Sequence, residues 1–387
     1  MSHLIWWYSK RGDDHLWLLK YDTAIDFQSR RHLMEIMFPE EGKHDSQKVH
    51  KVLIDRSMLL TQSYERIAHV KAKSLQNGLS VKFKDEVATG PGVLREWLFL
   101  VSQALFNPEY SLFVECPEDR RRFFPSTAKV TSQQLKFYHL CGRVIALALM
   151  HKVELGIAFD RVFFLQLAEE NISLEDIKCA DPIMYKSCKD ILEMDADLVD
   201  SDVMGLTFVR EIEDFGSRKT VELCPGGMNI VVNSNNREQY VHLLIQHIFV
   251  KSISAKVANF ARGFGAILCK QKVAKNFFQG IKLKGLDSVL RGSDKPICVK
   301  DWKAHTVYED YRETDEQICW FWKVVEGMSM EQQREFLFFW CAVKYLPVYG
   351  FSGLGRPLTI YKTSSSDDYL PSSHHVATIC HSHITHL

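Results

Sequence analysis

Hydrophobic positions recur in two rhythms along this chain, and the changes of rhythm predict where its parts begin. Over residues 1–65, Leu33, Ile36 and Met37, then Val52, Leu53, Leu59 and Leu60, recur at helical spacing, with Pro39 and Gly42 between the groups. A helical, amphipathic N-terminal extension is predicted there. Ser80-Val81-Lys82-Phe83 alternates as a strand does, and Gly90-Pro91-Gly92 turns the chain into an apolar helix from Leu94 to Val101. Asn107-Pro108 marks a turn between Leu105 and Phe113. Gln133 to Met150 carries Leu135, Tyr138, Cys141, Ile145 and Leu149 on one stripe, with further apolar residues beside it. Such all-round apolarity predicts a helix buried in a sizeable core.

From about Asp181 the texture changes. Met184 to Met194 reads as a helix, followed by short alternating stretches at Leu206–Val209, Thr220–Leu223 and Asn229–Val232, separated by turns at Phe215–Arg218 and Pro225–Gly227. Arg237 to Val250 predicts a helix with Tyr240, Val241, Leu244, Ile245 and Ile248 on one side. Gly292-Ser293-Asp294 is a short breaker. Beyond it, Trp302, the Ile318–Trp322 run and the Phe336–Trp340 run predict a second, aromatic core, and Ser364–Asp368 is a polar loop before the terminal stretch.

Composition narrows the classes. The 387 residues exceed the usual single-domain size, and 48 Lys+Arg balance 48 Asp+Glu, so the basic footprint of a nucleic-acid or anionic-membrane binder is missing. Apolar runs such as Val144 to Met150 fall far short of the roughly 20 residues that cross a bilayer, and Lys10, Arg11, Asp13 and Asp14 interrupt the N-terminal apolar run. The ten cysteines include no Cys-x-x-Cys pair, which argues against a disulfide framework or a structural zinc site. A soluble protein of the cytoplasm or nucleus is expected, without metal or organic cofactor.

The ordered segments resemble the HECT domain of ubiquitin ligases. Gly92-Val93-Leu94-Arg95-Glu96-Trp97 is similar to that family's Gly-x-x-Arg-Glu-Trp, and Phe106-Asn107-Pro108 through Leu112-Phe113 to its next signature. Gly142-Arg143, Leu206-Thr207-Phe208, Gly226-Gly227, Tyr240-Val241, Gly263-Phe264, Asp301-Trp302, Trp320-Phe321-Trp322 and Pro347 with Gly350-Phe351 continue the resemblance in order, over about Leu79 to His374. The Lys344-Tyr345-Leu346-Pro347-Val348 run looks nearest to plant members that carry an N-terminal ubiquitin-like domain, a domain this sequence does not display.

The resemblance implies an α+β, two-lobed architecture. A mostly helical N-lobe over 66–291 would carry a small α+β subdomain at about 181–250. A hinge at Gly292, Ser293 and Asp294 would lead to a small α/β C-lobe over 295–387, shortened at its end and lacking its last strand. Hinges absorb large φ/ψ changes, which glycine suits, although an ordinary surface turn reads the same way. The implied partners are a ubiquitin-conjugating enzyme, ubiquitin and a protein substrate. The conjugating enzyme would dock in an apolar groove whose matching positions are Met184, Ser187, Cys188, Ile191 and Met194 on one helix, Met204 and Leu206 at the strand, and Tyr240 and Leu244 on the next helix. The first five recur at groove spacing, and methionine repacks easily around an exchanged partner; the same stripe would also serve as core.

The implied chemistry is transthiolation, which needs a reactive thiol. Leu370-Pro371-Ser372-Ser373-His374 is similar to the start of the family's active-site loop, but Val376 stands where the family carries its cysteine. The displaced thiol is Cys380, flanked by His374, His375, His381 and His383, whose imidazolium forms would lower its pKa. The expected catalytic residues are therefore Cys380 and His374, on a presenting loop. The other nine cysteines read as inert core thiols, and the terminal histidines match no recurrent metal site. An enzyme is the leading reading; a catalytically dead protein that only holds the conjugating enzyme is the alternative.

Overall fold

A computed structural model describes residues 25–39, 49–214, 217–269, 274–362, 372–374 and 379–381. Two separate hydrophobic cores organise it. The larger runs from Ile25 to Leu290, and the smaller gathers residues from Trp302 to Ile360. This is the α+β, two-lobed arrangement that the sequence predicts.

Two helices form the spine of the larger lobe. Ser132–Met150 opens on a capping box in which Thr131 and Gln134 satisfy each other's free backbone donors. It crosses Ser254–Gly265 at very short range. A β-carbon on Gly142 would collide with the Phe260 carbonyl, and one on Gly263 with the carbonyl of His139. Glycine at both positions is what allows the two backbones to touch. Arg143, next to the first of them, turns its guanidinium away from that contact to donate to the carbonyls of Ile67 (2.6 Å) and Val70 (2.7 Å), satisfying backbone groups inside the core.

The predicted all-helical extension over 1–65 is corrected in its second half. Phe27–Glu35 is a helix capped by Asp26, but His50–Ile54 is a strand, paired in parallel with Leu79–Phe83. Val52 and Ile54 point into the core and Leu53 outward, a period of two that the short apolar run concealed. Both elements pack into the large core, so the extension is part of the lobe.

In the smaller lobe Trp302 is fully buried, stacked on Phe351 at 5.2 Å and edge-on to Trp322 at 6.0 Å, between the Glu316–Gly327 and Met330–Cys341 helices. These helices lie with a four-stranded sheet in the order Ser372–His374, Ile379–His381, Leu358–Tyr361, Thr306–Glu309. Within this sheet Ile379–His381 pairs with Ser372–His374 on one side and Leu358–Tyr361 on the other.

Candidate functional site

The small subdomain is built from the Pro182–Glu193 helix, the hairpin Val209–Asp214 with Ser217–Glu222, and the Arg237–Ile245 helix, which runs on as a wider turn through Val250. Pro182 at the first helical position and the Asp181 carboxylate, accepting from the Met184 N–H at 2.9 Å, start the first helix. Arg237 ties its far end down by donating to the carbonyls of Ile191 (3.4 Å) and Met194 (2.5 Å).

The nine groove positions separate into two levels. Met184, Ile191, Met194, Met204 and Leu206 are half-buried and Ser187 is exposed. Cys188, Tyr240 and Leu244 lie beneath them as core side chains, with the Tyr240 ring edge-on to Phe208 at 5.4 Å. As surface contacts those three are corrected: they form the floor that holds the helices together. The accessible apolar surface comes instead from residues off the stripe. Ile183 is 81% exposed, Val203 75% and Met228 57%, with Leu198 and Val231 also open. A signal for the first was available, because Ile183 lies one position outside the buried stripe in the first helical turn.

The predicted hinge joins the lobes and is held by both. Gly292 has φ +71°, and a β-carbon there would come within 2.8 Å of the Leu346 carbonyl. That same carbonyl accepts from the Ser293 N–H at 2.7 Å. Asp294 pairs with Arg121 and with Arg291 (2.9 Å), and Arg291 pairs in turn with Asp119. Additional contacts cross between lobes: Arg95 donates to the Cys341 carbonyl at 3.1 Å, and Phe99 meets Phe338 at 4.9 Å.

Cys380 does not lie on a presenting loop. Its backbone sits in Ile379–His381, opposite Ser373 on one side and Ile360 on the other, while His374 closes the neighbouring strand opposite Ile379. Val376 and His375 lie outside the described residues. The inert-core reading of the other thiols holds for Cys116, Cys141, Cys188 and Cys341, which are buried; burial pushes the Cys188 thiol up to about 11 and Cys341 to about 12, far from the thiolate range. Cys179, Cys269, Cys298 and Cys319 are exposed instead, and Cys224 is half-buried.

No group of three or more metal-ligating side chains occurs among the described residues, and no described helix is long and apolar enough to cross a membrane. The fold and its surfaces define a two-lobed α+β protein in which an apolar-surfaced subdomain and a small sheet lobe flank a glycine joint. Residues 99–376 match the HECT-domain (ubiquitin-transferase) family, and the chain belongs to that family. It is similar to E3 ubiquitin-protein ligase UPL5 of Arabidopsis thaliana, at 51% identity over 96% of this chain and 43% of the relative. E3 ubiquitin-protein ligase TOM1 of Saccharomyces cerevisiae is 29% identical over 92% of this chain and 11% of its own length. E3 ubiquitin-protein ligase RSP5 of Emericella nidulans is 33% identical over 84% and 39%. The chain spans less than half the length of each of these relatives.

Proposed function

We propose that this chain works as the catalytic module of a ubiquitin-protein ligase, accepting ubiquitin from a conjugating enzyme as a thioester and passing it to a substrate lysine. In the first step a ligase thiolate attacks the conjugating enzyme's thioester carbonyl and expels that enzyme's thiolate. In the second a lysine amine attacks the new thioester, forms the amide and returns the ligase thiolate. Cys380 is the thiol assigned to this role, and His374, on the neighbouring strand, is assigned with it.

The observation that carries this reading is the open apolar surface of the small subdomain. Ile183, Val203 and Met228 expose large side chains in the subdomain that also carries the half-buried methionines at 184, 194 and 204, and a monomer gains nothing from leaving them wet. The second reading, a binder without transfer activity, is favoured by one observation: the Cys380 backbone is paired on both edges, whereas a nucleophile is better served by a loop. The test mixes this protein with a conjugating enzyme charged with labelled ubiquitin and runs a non-reducing gel beside Cys380→Ala and Ile183→Asp. A thiol-sensitive adduct lost in both variants supports transfer through Cys380. Binding of the conjugating enzyme without an adduct supports the binder. Absence of both overturns the two readings together.

A further inference from the structure

A cleft of about 760 Å³ lies between the small subdomain and the body of the large lobe. The Val209–Asp214 strand lines it through Arg210 and Ile212, and residues 126–129, which follow the Asp119–Pro125 strand, line it from the body. His247, Lys251 and Ser252 also line it, on the turn that leads from the subdomain back into the Ser254–Gly265 helix. The volume lies within the roughly 300–1,000 Å³ that small-molecule sites occupy.

Its lining carries more positive than negative charge. Lys129, Arg210 and Lys251 stand against one carboxylate, Glu211. On the strand, Arg210 and Ile212 are half-buried while Glu211 between them is exposed, the alternation that puts this carboxylate on the opposite face. Among the described residues Arg210 forms no ion pair: its one side-chain hydrogen bond goes to Nδ1 of His247, at 3.4 Å. Arginine can only donate, so Nδ1 accepts and the neutral ring carries its proton on Nε2. Asp181 acts on the guanidinium without pairing with it, and offsets less than burial takes away. Lys251 is exposed one turn beyond His247 and forms no ion pair among the described residues either. Burial first, then Arg210 and Lys251, hold the His247 imidazole below its usual value, so both cations act on the same ring. Lys129 has an interaction of its own, which leaves Arg210 and Lys251 as the available pair.

The backbone of the lining is arranged to the same end. Lys256 is 1% exposed, and its ammonium donates to the carbonyls of Ser126, Ala128 (2.6 Å) and Ser252 (3.5 Å). Three carbonyls of lining residues, which would repel an anion, are thus turned to a cation inside the lobe. That buried charge adds its own field to the cleft.

We propose that this cleft binds a small phosphorylated molecule, with its phosphate held between Arg210 and Lys251. A singly charged carboxylate would satisfy one of the two cations, whereas a phosphate monoester brings three acceptor oxygens and close to two charges, and the arginine fork matches it with two parallel hydrogen bonds. Because Arg210 belongs to the subdomain and residues 126–129 to the body of the lobe, the occupant ties the two together. None of the residues assigned to docking or to transfer lines this cleft, so the inference stands or falls apart from the function proposed above.

The test is calorimetric titration of the full chain, at low salt, with glycerol 3-phosphate, inorganic phosphate and glycerate. The expected result is saturable binding of both phosphates at one site, with the carboxylate about tenfold weaker or less. Lys251→Gln removes an exposed charge without touching the packing and should lose about tenfold in phosphate affinity, as should Arg210→Gln. Lys189→Gln removes a cation from the same subdomain but away from the cleft, where it pairs with Glu193, and should leave the affinity unchanged. Absence of saturable phosphate binding, equal binding of glycerate, undiminished affinity in Lys251→Gln, or an equal loss in Lys189→Gln overturns the proposal.

Discussion

Tyr345 of the small lobe lies so close over Gly156 of the large lobe that a β-carbon at Gly156 would overlap three atoms of the ring. Gly156 also has φ +76°, a conformation that side-chain-bearing residues rarely adopt. The ring is flanked by the guanidinium groups of Arg121 at 5.0 Å and Arg334 at 5.7 Å, one from each lobe, so it is held by charge as well as by contact. Gly156→Ala is expected to cost about 1–3 kcal/mol through backbone strain alone and to push the lobes apart. Small-angle scattering would report the larger radius of gyration. Tyr345→Ala in the same chain should restore docking in part, so the double variant should be less damaged than the sum of the singles. Additive effects would show that the ring is not the stop between the lobes.

The joint one step further on is ionic. Asp294 takes Arg121 and Arg291 together, and Arg291 also holds Asp119. The Asp294 side chain is about half exposed, so the pairs are screened and the stability at stake is small, about 1 kcal/mol or less. Because they lie where the two lobes join, these pairs are expected to matter more for lobe placement than for stability. Fluorescence energy transfer between labels on the two lobes should show a wider distance distribution as salt rises, and Asp294→Asn should show that wide distribution already at low salt. A distribution in the parent protein that ignores salt would remove the latch.

Acid sensitivity should centre partly on His139. Burial first, then the charges of Arg143 and Arg262, hold its imidazole down at about 4, against an unfolded value near 6.5. Between these values the unfolded chain binds the proton and the folded chain refuses it. Stability is therefore complete above pH 6.5 and is lost as pH falls toward 4. Because His139 keeps some solvent contact, the size is about 1–2 kcal/mol, not the full shift converted to energy. Urea midpoints at pH 7 and pH 5 should move less in His139→Gln than in the parent. An equal drop in both would mean that other groups carry the acid response.

Much of this was legible in the sequence, for identifiable reasons. The long apolar helix at 132–150, the Trp302 core and the joint at Gly292 all announce themselves by periodicity or by a breaker. Gly142 and Gly263 carry the family resemblance, but their use, two helices in backbone contact, becomes visible only when both are placed in space. The strand at His50–Ile54 was hidden because five residues are too few for a period of two to separate from a period of 3.6.

The two levels of the small subdomain lead to opposite outcomes for neighbouring substitutions. Ile183 and Val203 lie open, so replacing either by Asp removes no packing and should leave the urea midpoint within about 0.5 kcal/mol of the parent. Affinity for a conjugating enzyme should fall by about tenfold or more for each, since a charge in the centre of an apolar contact costs at least about 1.4 kcal/mol. Cys188 is buried one turn below, with 1% of its surface exposed. Cys188→Ala should leave the surface intact and lower stability by about 1 kcal/mol through the lost volume, with affinity unchanged in protein that remains folded. Titration of a labelled conjugating enzyme, set beside urea unfolding of each variant, separates the two effects. If Cys188→Ala weakens binding at full folding while Ile183→Asp and Val203→Asp do not, the contact surface is the buried stripe reopened by movement of the Pro182–Glu193 helix, and the surface assigned here is wrong.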